Sequence, residues 1–520
     1  MRGYSMLPSG RLLAIALVAS AVLAASFSSA SGLARIGARR KRREPGAIIG
    51  FITDIEGDMA YLERYIALPS RVLRWGAAAG DAARCGQTRR LELVDAARCY
   101  FVFGGDLFDK GPWDRRLAAL LVDLKRRHPR RVFLLAGNRD INKLRLRAEL
   151  SDADMRRDPA EIELVPGVGD VSVADYLRET RAENTRANRL RYLYAHTLGC
   201  PDTFEFARRE LAALAPPGAP RVTDEDVVAA TLASLAPPDG YVYRYLRAAQ
   251  LGVVLGDTLF VHGAPTPASL GFTPSLAVGY RKATSASAVP GARAPMGARG
   301  AVEAWIAGLN AFARDALDEF ARAPEWDRAR ARRGGEALMA WQSSPASCGQ
   351  TPVVASYLQR GEMKPVPIEV TRALRASGIA RVCVGHKPCG DCPLVLYSEG
   401  DAAAAAVEFV HADLSRADAS AGDQRGCAVA EVVVEGAFAE GGGRSSTVVR
   451  GRLADGRSVD YAVPADALIG RMTTDGYLVK ARVAAGARDA DDALYLLTRT
   501  RDRDEERRYA ARRDFAVEPR

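Results

Sequence analysis

The feature that most constrains this chain is a repeated order: a short apolar run, a polar loop containing glycine, then an amphipathic stretch. Ala47 to Ile52 reads as a buried strand ending at Thr53-Asp54-Ile55-Glu56-Gly57, and Asp58 to Leu68 then reads as a helix. Tyr100 to Phe103 ends at Gly104-Gly105-Asp106, ahead of the helical spacing of Leu117, Leu120, Leu121 and Leu124 within Arg115 to Arg127. Arg131 to Leu135 ends at Gly137-Asn138-Arg139-Asp140, Thr258 to Val261 at His262-Gly263, and Ala380 to Val384 at Gly385-His386. Strand, polar loop and helix in alternation predict an α/β sheet with its working side chains at the carboxyl edge.

The polar residues at those edges form a chemical set: Asp54, Glu56, Asp106, Asn138, His262 and His386. At an extended strand end, positions 54 and 56 point to one side. Two carboxylates there are unfavourable unless a cation lies between them. With a third carboxylate, an amide and two imidazoles, the set suits two divalent ions about 3.5–4 Å apart, bridged by one carboxylate.

In order along the chain stand Asp54-Ile55-Glu56-Gly57, Gly105-Asp106-Leu107-Phe108-Asp109-Lys110-Gly111, Gly137-Asn138-Arg139-Asp140, Val261-His262-Gly263 and Gly385-His386-Lys387-Pro388. This series resembles the calcineurin-like metallophosphoesterase superfamily, whose blocks read D-x-H-G, G-D-x-x-D-R-G, G-N-H-D/E, V-H-G and G-H-x-P or G-H-x-H. The stretch Gly137 to Arg145 also looks like a protist branch with G-N-R-D. The resemblance implies a metallophosphoesterase-type β-sandwich flanked by helices, with helical insertions and a C-terminal β-rich appendage. It implies that Asp54 and Glu56 hold a first metal, that Asp106 bridges, and that Asn138, His262 and His386 hold a second. A water activated by both ions would attack phosphorus in line. Lys110 stands where the family has a phosphate-gripping Arg, Asp109 would brace that loop, and Asp413 is a candidate supporting residue beside a plain turn reading.

Two further departures from the pattern bear on the chemistry. Glu56 replaces a histidine ligand, which favours Mn²⁺ or Mg²⁺ and leaves Zn²⁺ or iron open. Arg139 replaces a histidine that resembles the acid for the leaving oxygen. An arginine stays protonated, so it can hold phosphate and stabilise transition-state charge but cannot donate that proton. A phosphoanhydride or aryl phosphate needs that proton less than an alkyl ester does. Lys143, with Arg145 and Arg147, adds positive potential for a substrate, or else forms a solvated basic face. Trp341 to Gln350 is a candidate lid. The expected activity is phosphoester hydrolysis on a phosphorylated small molecule or protein. The rival is a degenerate fold that binds metal or a phospholigand without turnover.

Charge excludes one class. The net charge is +10, but residues 1–43 hold eight basic residues and no acid, which leaves +2 for residues 44–520. A nearly neutral body gives no reason to expect nucleic acid as partner. Arg2 and Arg11 precede the apolar run Leu12 to Phe27, and small residues follow at Ala30, Ser31 and Gly32. Residues 1–31 therefore read as a signal peptide and 32–45 as a basic linker or transit-like segment. Secretion, a plastid route through a bipartite leader, and a retained membrane anchor all follow from such a leader.

Residues 46–415 are assigned to the phosphoesterase domain, with insertions at about 141–255 and 264–375, and 427–499 to a small β-rich region. The charged tail, 500–520, reads as a solvated helix or an unstructured segment. Cys389-Gly-Asp-Cys392 is a single pair, short of a four-ligand zinc site, and reads as a local disulfide or as free thiols.

Overall fold

The computed structural model describes residues 46–68, 70–77, 88–162, 171–277, 289–327, 332–342, 350–359, 362–397, 406–414, 428–438, 445–484, 492–501 and 504–518. The leader read at 1–45 lies outside them, as do residues 343–349 of the candidate lid. No helix of the described residues is long and apolar enough to cross a membrane.

The first sheet has seven strands. Its parallel part is built from β1 (Ile48–Ile52), β2 (Cys99–Phe103), β3 (Val132–Leu135) and β4 (Ala249–Gln250), paired in that order. The second sheet has five strands: β5 (Gly252–Leu255), β6 (Thr258–Val261), β7 (Arg381–Val384), β8 (Leu394–Leu396) and β9 (Glu408–His411), in the order β8-β9-β7-β6-β5. Strand β7 runs parallel to both β6 and β9. The strands β3, β6 and β7 are buried at every residue, as parallel strands covered on both faces must be. Phe51 of β1 meets Phe260 of β6 with ring centroids 5.5 Å apart, so the two sheets face each other across a shared apolar core.

Helix α1 (Met59–Ala67) follows the first loop, capped by Asp58, whose carboxylate accepts from the N–H groups of Ala60 and Tyr61. Helix α2 (Asp114–Arg127) follows the second, with Leu117, Leu120, Leu121 and Leu124 turned into the core as their spacing predicts. The insertion after β3 is helical and returns as α3 (Tyr241–Ala248), where the Tyr245 hydroxyl donates to the Leu135 carbonyl at 2.6 Å. The insertion after β6 carries the long helix α4 (Ala301–Arg322).

The C-terminal strands are less separate than the sequence suggests. Strand β10 (Val429–Glu435) pairs with β1, and β11 (Ser446–Arg452) and β12 (Ser458–Val463) continue outward, so these three complete the first sheet. Buried Arg381 of β7 joins the two sheets here, bonding Glu408 of β9 at 2.9 Å and Ser445 beside β11 at 2.6 Å. The last strands, β13 (Leu478–Arg482), β14 (Leu494–Arg501) and β15 (Asp504–Ala511), form a third, antiparallel sheet. Residues 504–511 of the charged tail thus form a strand. Its charges are used across strands, Arg499 with Glu506 at 2.6 Å and Lys480 with Glu505 at 2.8 Å. Cys389 and Cys392 are free, buried thiols.

Candidate metal centre

The loops after β1, β2 and β7 turn through left-handed backbone. Asp54 (φ 52°), Glu56 (50°), Asp106 (51°), Asp109 (103°) and His386 (71°) hold positive φ, and among the other described non-glycine residues only Arg181 does. That region is unfavourable for a residue with a Cβ and persists only where neighbours enforce it. Here the first two loops enforce it on each other. The N–H of Asp54 donates to Gly105 at 2.9 Å, that of Glu56 to Asp106 at 3.1 Å, and that of Gly57 to Leu107 at 2.7 Å. The extended geometry expected for positions 54 and 56 is therefore replaced by a pinned turn, because pairing with the neighbouring loop outweighs the local preference.

Asp140 holds the next loop. Its carboxylate accepts from the N–H groups of Leu107 at 2.8 Å, Asp106 at 3.0 Å and Gly137 at 2.8 Å. Sequence reasoning gave this residue no role, although an acid three positions after a helix cap was its signal. The close approach requires glycine at Gly137, where an added Cβ would lie 2.1 Å from Asp106 Oδ1.

These turns bring Asp106, Asn138, His262 and His386 to one point. Ligand atoms of Asp106, His262 and His386 lie within 4.8 Å of one another, and Asn138 Oδ1 lies 3.2 Å from His262 Nε2 and 2.8 Å from His386 Nδ1. His262 Nδ1 sits 2.9 Å from the Gly104 carbonyl, which can only accept, so Nδ1 carries the proton. Nε2 faces Asn138 Oδ1 and, at 3.3 Å, Asp106 Oδ1; burial would push this imidazole down, but Asp106 favours a proton on Nε2 and holds it above its ordinary value. A carboxylate and an amide oxygen converging on a ring nitrogen fit a cation in the place of that proton. The second ring nitrogen, fixed by a backbone carbonyl, is the usual support of a metal-binding imidazole.

The electrostatics agree. Burial, then Asp106 and Glu56, pushes the Asp54 carboxyl well above the usual range, which marks an excess of negative charge. Burial would also raise Asp106, but His262 and Arg139 hold it below. Burial, Lys387 and His262 hold the His386 imidazole well below its ordinary value, so it stays neutral, the form a metal requires.

Asp54 and Glu56 are buried beside this cluster. Asp54 accepts from the Thr53 hydroxyl and from the His386 N–H at 3.2 Å. Glu56 Oε1 receives Lys110 Nζ at 2.8 Å and Arg139 Nε at 3.0 Å. Lys143 lies elsewhere than a substrate contact would. Its side chain is 5% exposed, it pairs with buried Asp109, and the rings of Phe108 and Tyr194 flank it. Arg145 is also buried, bonded to Glu149 and Asn142, so neither residue belongs to a solvated face. Asp413 is buried at the end of β9, its carbonyl accepting from the Cys389 N–H at 2.8 Å.

Residues 49–201 match the family model described as calcineurin-like phosphoesterase. The chain carries a calcineurin-like phosphoesterase domain. That family implies metal-dependent hydrolysis of phosphate esters. His262 and His386 come from beyond the matched stretch and still meet it at the metal cluster. No curated protein matches the chain. Similar solved structures include a cold-active protein-tyrosine phosphatase of a psychrophilic Shewanella, 13% identical, covering 81% of this chain and 83% of that one at a TM-score of 0.35. A protein serine/threonine phosphatase from Saccharomyces cerevisiae is 11% identical, covering 75% and 73% at 0.30. A metallophosphoesterase from Sphaerobacter thermophilus is 10% identical, covering 75% and 83% at 0.25.

Proposed function

We propose that this phosphoesterase domain hydrolyses phosphate esters at the cluster of Asp106, Asn138, His262 and His386, with Arg139 and Lys110 receiving the phosphate. The observation that carries the reading is the convergence of acceptor atoms around His262 Nε2, which a cation would satisfy. A divalent ion bound there supplies Lewis-acid polarisation and lowers the pKa of a water it holds. The carboxylate and amide oxygens favour manganese or magnesium, and the two imidazoles leave zinc or iron open.

The chain's own groups do the rest. Arg139 and Lys110 keep side chains 18% and 20% exposed beside the buried carboxylates, so an entering phosphate meets both cations. Burial would push the Arg139 guanidinium down, but Glu56 and Asp106 hold it above its ordinary range. It stays charged and gives no proton to a leaving oxygen. Substrates whose leaving group departs as an anion, aryl phosphates or phosphoanhydrides, are therefore favoured over alkyl esters. The same Glu56–Arg139 pairing supports a second reading, a binding module without turnover, because it removes the position of an acid.

The purified chain is assayed with an aryl phosphate and a bis-aryl phosphate, with Mn²⁺, Mg²⁺ and chelator arms. Metal-dependent release from either supports the hydrolase. No release from a metal-loaded chain selects the binding module. On the leader, we propose entry to the secretory pathway, checked by sequencing the mature N-terminus.

A further inference from the structure

Glu56 and Arg139 both depart from the resemblance, and in the structure they are the two ends of one ion pair, 3.0 Å apart. Lys110 closes on the same Glu56 oxygen at 2.8 Å. Asp106 lies against both Arg139 and His262, its Oδ1 accepting from the Arg139 backbone N–H at 2.9 Å. Its Oδ1 faces His262 Nε2 at 3.3 Å, whereas Oδ2, the oxygen a bridging carboxylate would offer to a first ion, lies 3.7 Å from Arg139 Nε. Among the described residues, the close set of ligating His, Cys, Asp or Glu atoms is Asp106, His262 and His386, without Asp54 or Glu56. The donors implied for a second ion fit it, and those implied for a first do not.

We infer that this centre takes a single divalent ion at Asp106, Asn138, His262 and His386, and that the Arg139 guanidinium, backed by Lys110, occupies the first ion's place against Glu56 and Asp106. Charge supports the assignment. Two of the three carboxylates, Glu56 and Asp106, already face the fixed side-chain cations of Arg139 and Lys110, so one divalent ion beside Asp54 and Asp106 suffices to balance the group. A second would have to enter beside a guanidinium and an ammonium, against like charge and away from water. A histidine at either position could not make the same pair, because a neutral imidazole brings no fixed charge. Changing both residues at once exchanges one cation site for one salt bridge.

The inference rests on reading the cluster as a divalent-ion site, and it does not depend on turnover. The full chain is stripped with chelator and dialysed against Mn²⁺. Bound metal is counted per chain by elemental analysis, and the Mn²⁺ electron paramagnetic resonance spectrum is recorded. One ion per chain with the spectrum of an isolated ion is expected. The double variant Glu56→His/Arg139→His should take up two ions with an exchange-coupled spectrum, and His386→Ala should lower the affinity of the single site at least tenfold. Two tightly bound, coupled ions in the unaltered chain overturn the inference, and that count decides even if the double variant does not fold. A chain that binds none overturns the cluster reading as well. One bound ion with no ester hydrolysis upholds the inference and defeats only the hydrolase proposal.

Discussion

His411 offers a quantitative test of how firmly the second sheet excludes water. It ends β9 at 0% exposure, and among the described residues neither ring nitrogen has a hydrogen-bond partner. Burial alone holds its imidazole down at about 3. An unfolded histidine titrates near 6.5, so between about pH 6.5 and 3 the unfolded chain takes up a proton that the folded chain refuses. The stability this group contributes is complete above pH 6.5 and declines as pH falls toward 3, by about 1.4 kcal/mol per pH unit. From pH 7.5 to pH 5 the loss is about 2 kcal/mol. Leucine is close in volume, has nothing to protonate and leaves no polar atom unpaired. His411→Leu should be more stable than the parent at pH 7.5 by about 1 kcal/mol and at pH 5 by about 3 kcal/mol. Urea denaturation of both chains at matched pH reads the difference, and every other titrating group cancels in it. A gap that stays constant between pH 7.5 and 5 would refute the reasoning, since it would mean that water or an acceptor reaches His411 and lets it take up its proton in the folded state.

Three further outcomes follow from buried charge and close approach. Arg381→Met leaves Glu408 charged and enclosed between the sheets, and should cost about 3–5 kcal/mol in denaturant unfolding; a loss below about 1 kcal/mol would contradict the pairing. Lys143→Met should cost a similar amount by stranding Asp109, and adding Asp109→Asn should recover most of it, in line with a bracing rather than substrate-binding Lys143. Gly137→Ala places a methyl group against Asp106 and should weaken Mn²⁺ binding by at least tenfold in calorimetric titration. Unchanged affinity would show that the loop has room to move.

Much of the centre is legible in the chain itself. Apolar runs ending in glycine and a polar residue identify β1, β2, β3, β6 and β7, and the donor types at their ends are those a divalent ion selects. Strands β4 and β8 are harder to read, being two and three residues long, too short for a period to show. The charged strand β15 looks like solvated chain until Arg499 finds Glu506 and Lys480 finds Glu505. Lys143 looks available to a substrate because the burial of Asp109 beside it is not a local property.

The linear order of residues thus determined which strands exist and which atoms are offered to a cation, because both depend on neighbours within a few positions. Only the tertiary structure decided that Glu56, Lys110 and Arg139 spend their charges on one another and that Asp106 is held between Arg139 and His262. The physical reason is range: strand propensity and donor type act locally, whereas charge compensation is settled by whichever groups folding places within a few ångströms in a space without water.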